Sequence, residues 1–423
     1  MAFTIGPMHL HINGHKDLTE KKDLICIDSD IVEVSMNVGS HTAECKVKKG
    51  DKVKIGDLLG LRDDRFYVPI YSSCSGEVVE IKKKLATNHQ EADCVVIKND
   101  HKDDKKDIGK IDLNSTKEEI IDFMKKIGLL GQGGAGFPSY LKYQTDKCET
   151  LIINAVECEP YITSDITNIE ENIELFKLGV ELMLKASNAK KCCIGIKKTH
   201  GEMIAKLNGL FDSKDIEVKA LNDVYPMGWE RTLVYEVLKK RYDKLPIEVG
   251  AIVSNASSAI ALAYAATNGY PSYQKIVTVS GDNISNPANI RCRIGTPVKE
   301  LIEACGGVKN PNSNLVLGGP MMGNSVESDE ISITSIVNAV SLFEDSEYEE
   351  IACLNCGACL RNCPSSLQPA IVNKALEKGN VEMLKKLEVM DCVECGLCSY
   401  TCPSRIHLTE KMRQAKALVR GGK

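Results

Sequence analysis

Residues 131–160 read GQGGAGFPSYLKYQTDKCETLIINAVECEP, and this stretch decides the architecture of the middle of the chain. Its second half contains TLIINAV (150–156), an apolar run of strand length. Its first half packs Gly131, Gly133, Gly134 and Gly136 into one loop, where backbone can approach a ligand closely and its N–H groups can cradle a phosphate. Lys142 follows where a cation could meet that phosphate. Asn154, Glu157 and Glu159 end the strand, and in open α/β sheets ligands sit at the carboxyl ends of strands. A glycine-rich run alone is a weak signal, and a plain loop is the competing reading.

Outward from this stretch, strand and helix signals alternate. Ser115 and Glu118 predict a capping box ahead of Ile120, Phe123, Met124 and Ile127. Ile173, Phe176, Val180 and Leu184 recur at helical spacing, and KCCIGI (191–196), IEVKAL (216–221) and EVGAIVSN (248–255) read as strands. Residues 109–270 are therefore expected to form a parallel, Rossmann-like domain. Residues 1–108 read as an all-β module, with VKKGDKVKIGDLLG (47–60) and VPIYSSCSGEVVEI (68–81) broken by turns at Gly50 and Gly76. The charged run NDHKDDKKDIGK (99–110) is expected to be a solvated boundary. Residues 271–345 suit a small α+β unit, and the acidic FEDSEYEE (343–350) leads into a helical tail at 346–423.

The 423 residues carry 18 cysteines and a formal charge of −5, which favours neither nucleic acid as a partner nor a disulfide scaffold. Eight cysteines crowd into the tail as two quartets, Cys353-x-x-Cys356-x-x-Cys359-x-x-x-Cys363-Pro and Cys392-x-x-Cys395-x-x-Cys398-x-x-x-Cys402-Pro. Both match the bacterial ferredoxin run, in which three close thiolates wrap one 4Fe-4S cluster and the fourth reaches the other cluster. The expected ligand map is crossed: Cys353, Cys356, Cys359 and Cys402 on one cluster, Cys392, Cys395, Cys398 and Cys363 on the other. Zinc is the competing reading, disfavoured by four cysteines per repeat and the duplicated proline. With only cysteine ligands, the tail reads as an electron relay. Cys192 and Cys193 read as packing. His9, His11 and His15 lie in a terminal segment expected to be mobile, and Cys158 reads as a small packing residue or a redox thiol.

GQGGAGFPSYLKY followed by LIINAVECEPYIT resembles the flavin loop of the C subunit of the Rnf electron transport complex, a family related to the flavin subunit of respiratory complex I. The resemblance extends to KKGDKVKIGDLLG, to VSGDNISNPANIRCRIGTP and GGPMMG, and to both quartets. It implies a multidomain α/β chain: an N-terminal barrel-sandwich module, a Rossmann-like flavin domain, a β-grasp (SLBB-type) domain and a helical dicluster ferredoxin domain. It implies FMN and hydride transfer from NADH, with the glycines and Lys142 on the FMN phosphate and ribityl chain. Asn154, Glu157 and Glu159 would lie beside flavin and nicotinamide, and Phe137 would stack on NADH. Tyr225, Gly228 and Glu230 in VYPMGWERTL match a second flavin motif, and Asn255 in VSNASS a third.

MHLHINGHKD, MNVGSHTAEC, the Trp229–Arg231 stretch and SITSIVNAVSL depart from the family pattern. Soluble relatives of the same architecture, such as the proline-reductase-associated electron-transfer protein and a cobalamin reductase, fit as well. A non-catalytic relay fed by a separate dehydrogenase is the alternative function. The implied partner is a protein electron acceptor or donor, either membrane Rnf subunits or a soluble reductase. The first residues lack signal-peptide character and no apolar run is long enough to span a bilayer, so a cytoplasmic chain, free or peripheral on the inner face of the membrane, is expected. The N-terminal module also resembles biotinyl and lipoyl carriers, but its hairpin LRDDRFYVP (61–69) lacks the Met-Lys-Met that would be modified.

Overall fold

A computed structural model of the chain describes residue 6 and residues 10–39, 41–86, 90–345 and 348–421. Strands Ile216–Leu221, Lys191–Lys197, Thr150–Ala155 and Ala251–Asn255 lie side by side in that order, all parallel. The apolar runs of Lys191–Lys197 and Thr150–Ala155, the two inner strands, are continuous because both faces are covered, whereas the edge strand Ile216–Leu221 keeps Glu217 and Lys219. Leu151, Ile153 and Ala155 pack with Phe176, Val180, Ala259 and Leu262 from helices Ile173–Ser187 and Ala256–Asn268. Ile152 and Val253 face the other way, onto Leu233 and Val234 of helix Glu230–Leu238. Gly179 is demanded by contact: a Cβ there would lie 2.0 Å from the Ala259 carbonyl oxygen, so the two helix backbones touch.

The chain runs outward from Thr150–Ala155 through two strands, then returns to its other side with Ala251–Asn255. The crevice at the carboxyl ends of these two central strands is thus the topological switch point. Two local expectations shift. The capping box is Thr116 with Glu119, one residue on: Thr116 Oγ1 accepts from Glu119 N–H and the Glu119 carboxylate accepts from Thr116 N–H. The last strand begins at Ala251, because Pro246–Val249 forms a 3-10 turn that Gly250 ends at φ 76°.

In the N-terminal module, Ile31–Ser35, Glu91–Asn99, Gly76–Leu85 and Lys52–Val53 form one antiparallel sheet, and Glu44–Cys45, Leu58–Asp63 and Tyr67–Tyr71 form another. Val32, Val34, Leu59, Val68, Val95 and Ile97 are buried together in this module. Gly76 opens a strand rather than sitting in a turn, and its missing side chain admits the Lys98 carbonyl. The run at 99–110 is exposed over most of its length, as a solvated boundary should be, and it is also pinned. His101 bridges Asp28 and Asp30, Arg293 binds Asp28 and Asp103, and Lys106 N–H donates to the Ile55 carbonyl.

The third unit is a six-stranded mixed sheet built on Gln274–Ser280, Ala288–Arg293, Ser313–Leu317 and Ala339–Glu344, with helix Val298–Ala304. Ile25–Cys26 adds to its edge in parallel, so the chain's beginning is woven into this sheet before the β module forms. Phe343 and Glu344 complete a strand, which shortens the acidic linker. In the tail, helices Pro369–Glu377, Val381–Lys386 and Leu408–Gly421 bury Val372, Leu384, Met412 and Ala415. No helix among the described residues is long and apolar enough to cross a membrane.

Candidate flavin and iron–sulfur sites

The glycine loop closes on itself: Gly131 N–H donates to the Phe137 carbonyl at 2.9 Å, and Gln132 N–H donates to Ser258 Oγ at 2.9 Å. Gly133 sits at φ 72°, facing the side-chain amides of Asn255 and Asn338, while Gly134 has nothing within 4 Å of where a Cβ would be. Gly136, at φ 65°, would press a Cβ onto Ile336. Lys142, on helix Ser139–Tyr143, reaches the Val253 carbonyl with Nζ at 2.9 Å. Burial lowers its pKa, and the charge of Glu230 opposes that shift.

The strand ends bring the polar residues together. Asn154 and Asn255 are register partners on adjacent strands. Asn154 Nδ2 donates to the Gly228 carbonyl at 2.8 Å and its Oδ1 accepts from Val156 N–H, so it holds the second motif against the first. Asn255 caps helix Ala256–Asn268 and donates to Asp165 Oδ2 at 2.8 Å. Asp165 also takes the Ser257 hydroxyl at 2.6 Å, and its N–H donates to Glu157 Oε1 at 2.7 Å. Glu157 Oε2 is buried with no partner, and burial pushes the carboxyl from an ordinary 4.5 up to about 7, against the pull of Lys16. The open glycine loop, the N-terminus of helix Ala256–Asn268 and the orphaned Glu157 oxygen are connected through Asn255 and Asp165, with Lys142 held on the neighbouring strand at Val253. That donor set fits a flat, phosphate-bearing ring cofactor such as FMN.

Glu159 points elsewhere. Its Oε1 accepts from Met321 and Met322 N–H at 2.7 and 3.0 Å, which ties it to the GGPMMG turn. Tyr225, buried, has its hydroxyl 3.3 Å from Glu159 Oε2 and 2.9 Å from the Cys395 carbonyl oxygen. Glu230 accepts from the Tyr242 hydroxyl at 3.0 Å, at the start of its helix. Phe137 lies outside this group, 41% exposed on the lip of the loop, against Phe66. Cys158 is a packing thiol here: it accepts from Gly228 N–H at 3.3 Å, and burial pushes it up to about 11.

Lys16, which sequence reasoning passed over, and His11 and His15, expected in a mobile end, lie against the site. Lys16 donates to the carbonyls of Glu159 and Ile162 and faces Glu157. His15 stacks on Tyr161 at 4.6 Å, and His11 Nδ1 lies 3.0 Å from the Asp223 carbonyl oxygen. From Leu10 onward the terminal segment is therefore a strap across the site, correcting the expectation of a mobile end; His9 lies outside the described residues. Asp165 carried the available signal: an acidic residue just after the strand–loop motif, opposite the Asn-x-Ser-Ser cap.

The eight cysteines line two separate cavities, each drawing on both quartets, one with Cys353, Cys356, Cys359 and Cys402, the other with Cys363, Cys392, Cys395 and Cys398. This is the crossed map. The duplication is conformational too, since Asn355, Gly357 and Ser366 are left-handed and so are Glu394, Gly396 and Arg405 at the corresponding positions. No group of three or more His, Cys, Asp or Glu among the described residues is gathered for a single metal ion. Four cysteines around each cavity are the ligand set of a 4Fe-4S cluster. The first cavity is the more open: its Cys353 and Cys356 are exposed and only Cys359 is buried, whereas in the second Cys363 and Cys395 are buried and the other two half-buried.

Family comparisons agree with this layout. Residues 7–102 match the RnfC barrel sandwich hybrid domain, 124–264 the Nuo51 FMN-binding domain, 276–325 the SLBB domain and 352–406 the 4Fe-4S dicluster domain. The C subunit of a proton-translocating ferredoxin:NAD(+) oxidoreductase complex from Clostridium ljungdahlii is 32% identical over 358 residues, covering 82% of this chain and 78% of that protein. Its counterpart in the Na(+)-translocating complex from Acetobacterium woodii is 30% identical, covering 85% and 84%. The corresponding protein of a Vibrio cholerae ion-translocating oxidoreductase complex is 30% identical and covers 98% of this chain, which spans 55% of that longer protein. Among solved structures, an NAD+-reducing [NiFe]-hydrogenase in the H2-reduced state has a similar fold, with a TM-score of 0.51 at 16% identity, covering 73% of this chain and 63% of that one. With its four domains in this order and its crossed cysteine quartets, the chain belongs to the RnfC family of Rnf-type ferredoxin:NAD(+) oxidoreductase complexes.

Proposed function

We propose that this chain exchanges electrons with NADH at FMN held in the switch-point crevice, and relays them through two 4Fe-4S clusters to or from a protein partner. The observation that carries the reading is the contact from Glu159, on the loop after the central strand of the flavin domain, through Tyr225 to the Cys395 carbonyl, which ties that domain directly to a cysteine-ligand loop. When bound, FMN supplies the exchange between two-electron hydride chemistry and one-electron transfer. The protein's own residues then bind and orient. Gly131, Gly133, Gly134, Gly136 and Lys142 hold the phosphate end, while Asn154, Glu157 and Asn255 face the ring. Phe137 offers a stacking face for NADH, and Glu230 opposes the charge of Lys142. Glu159 and Tyr225 secure the loop between crevice and clusters.

The burial difference between the quartets supports an order, with the second quartet beside the crevice and the first, exposed one at the protein partner. A place at a membrane complex, held by protein contacts on the inner face, follows from the family. The test is a titration of the purified, reconstituted chain. It should carry FMN, and NADH should bleach both flavin and iron–sulfur absorption; clusters without flavin would sink the reading. A chain reduced by a partner protein but never by NADH would instead be a relay.

A further inference from the structure

The tail repeats itself without insertion, the run from Cys353 to Lys378 matching the run from Cys392 to Ala417, so each residue around one cavity has a counterpart around the other. The geometry repeats as well. Helices Pro369–Glu377 and Leu408–Gly421 begin at matching positions. Lys374 Nζ meets Asn355 Oδ1 at 3.2 Å, and at the same places in the second repeat Arg413 Nε meets Glu394 Oε2 at 3.2 Å. Where the two repeats differ, the difference is therefore one of chemistry rather than of backbone.

One such difference touches a ligand sulfur. Thr409 Oγ1 lies 3.5 Å from Cys398 Sγ and 2.9 Å from Ser399 Oγ, and Thr409 N–H donates to Ser399 Oγ at 2.8 Å. Leu360 and Ala370 hold the two matching positions at the first cavity, and neither carries a hydroxyl. A thiolate that binds iron can only accept a hydrogen bond, so the Thr409 hydroxyl points its proton at Cys398. The Thr409 oxygen then accepts from the Ser399 hydroxyl, and the chain of two O–H groups ends on the sulfur. Cys363 and Cys392 accept from the backbone N–H groups of Leu367 and Glu394, each at 3.3 Å. The bond to Cys398 comes instead from a side chain that the first repeat lacks.

We propose that Ser399 and Thr409 form a hydroxyl relay that sets the reduction potential of the second cluster. The inference rests on the iron–sulfur reading above. Both are positioning residues, since they act through Cys398. A cluster becomes more negative by one charge when it takes up an electron. A hydrogen bond donated to its sulfur stabilises that charge and raises the potential. Deeper burial of the second cavity acts the other way, because desolvation disfavours the more negative state. The relay offsets that burial and keeps the cluster beside the flavin domain reducible.

The test uses the full chain with reconstituted clusters. Redox titration followed by EPR gives a midpoint potential for each cluster, and Cys356→Ser and Cys395→Ser assign the two signals. Thr409→Val keeps the shape of the side chain and removes the hydroxyl. It should lower the second midpoint and leave the first where it is, while Thr409→Ser should keep the native value. The reciprocal change, Leu360→Ser with Ala370→Thr, should raise the first midpoint alone. An unmoved second midpoint in Thr409→Val, or an equal shift of both clusters, overturns the relay. Where that variant loses its cluster, an unmoved first midpoint in the reciprocal variant overturns it. A native chain that assembles no 4Fe-4S cluster overturns the iron–sulfur reading and the relay with it.

Discussion

The Tyr225 hydroxyl lies 2.9 Å from the carbonyl oxygen of Cys395, a ligand-loop atom of the second quartet, and 3.3 Å from a carboxylate oxygen of Glu159. One O–H serves both acceptors, and the same corner is sealed where Gly396 meets the Met321 carbonyl, 2.7 Å from where a Cβ would stand. Three domains therefore meet at one buried hydroxyl.

Tyr225→Phe should keep FMN and iron content but slow the bleaching of iron–sulfur absorption after flavin reduction, read by stopped-flow spectroscopy. It should also cost about 1–3 kcal/mol of stability, because buried acceptors lose their donor. An unchanged transfer rate would separate this hydroxyl from the relay.

The crossed map makes a pairing prediction. Cys402→Ser should affect the same cluster as Cys356→Ser, and Cys363→Ser the same cluster as Cys395→Ser, by iron content and EPR signature. If Cys402→Ser instead matches Cys395→Ser, the quartets are not interleaved.

Glu157 should make stability depend on pH. Its folded pKa is raised to about 7 from 4.5, chiefly by burial, so its contribution is fully present below about pH 4.5 and is lost as pH rises through 7. Glu157→Gln should flatten the fall in stability across that window, by up to ~1.4 kcal/mol per pH unit. Denaturant titrations at several pH values measure it; an unaltered slope would place the proton elsewhere.

Gly179→Ala should destabilise the chain by about 1–3 kcal/mol, because its Cβ would collide with backbone rather than with a side chain that can turn away. A lowered melting temperature with cofactor content unchanged is the expected result. Native stability would mean that the helices separate freely.

Local signals proved legible where one segment decides its own chemistry. The quartets signal their crossed pairing because, in this ferredoxin spacing, the last thiol ahead of the proline serves the other cluster, and the cavities group the cysteines the same way. The apolar run at 150–156 and the glycines at 131–136 likewise announced a strand and an open loop. The capping box slipped by one residue because Ser115 and Thr116 offer the same hydroxyl, and only the helix's entry angle chooses between them.

By itself, then, the amino-acid sequence determined the order of the all-β, parallel α/β, α+β and cysteine-rich segments and the two cysteine quartets, all written in short-range spacing. Tertiary structure alone decided that Lys16 and Leu10 strap the crevice, that Glu159 turns toward Met321 instead of inward, and that Phe66 meets Phe137. Those contacts join residues far apart in the chain, and they depend on how whole domains pack, which no local periodicity encodes.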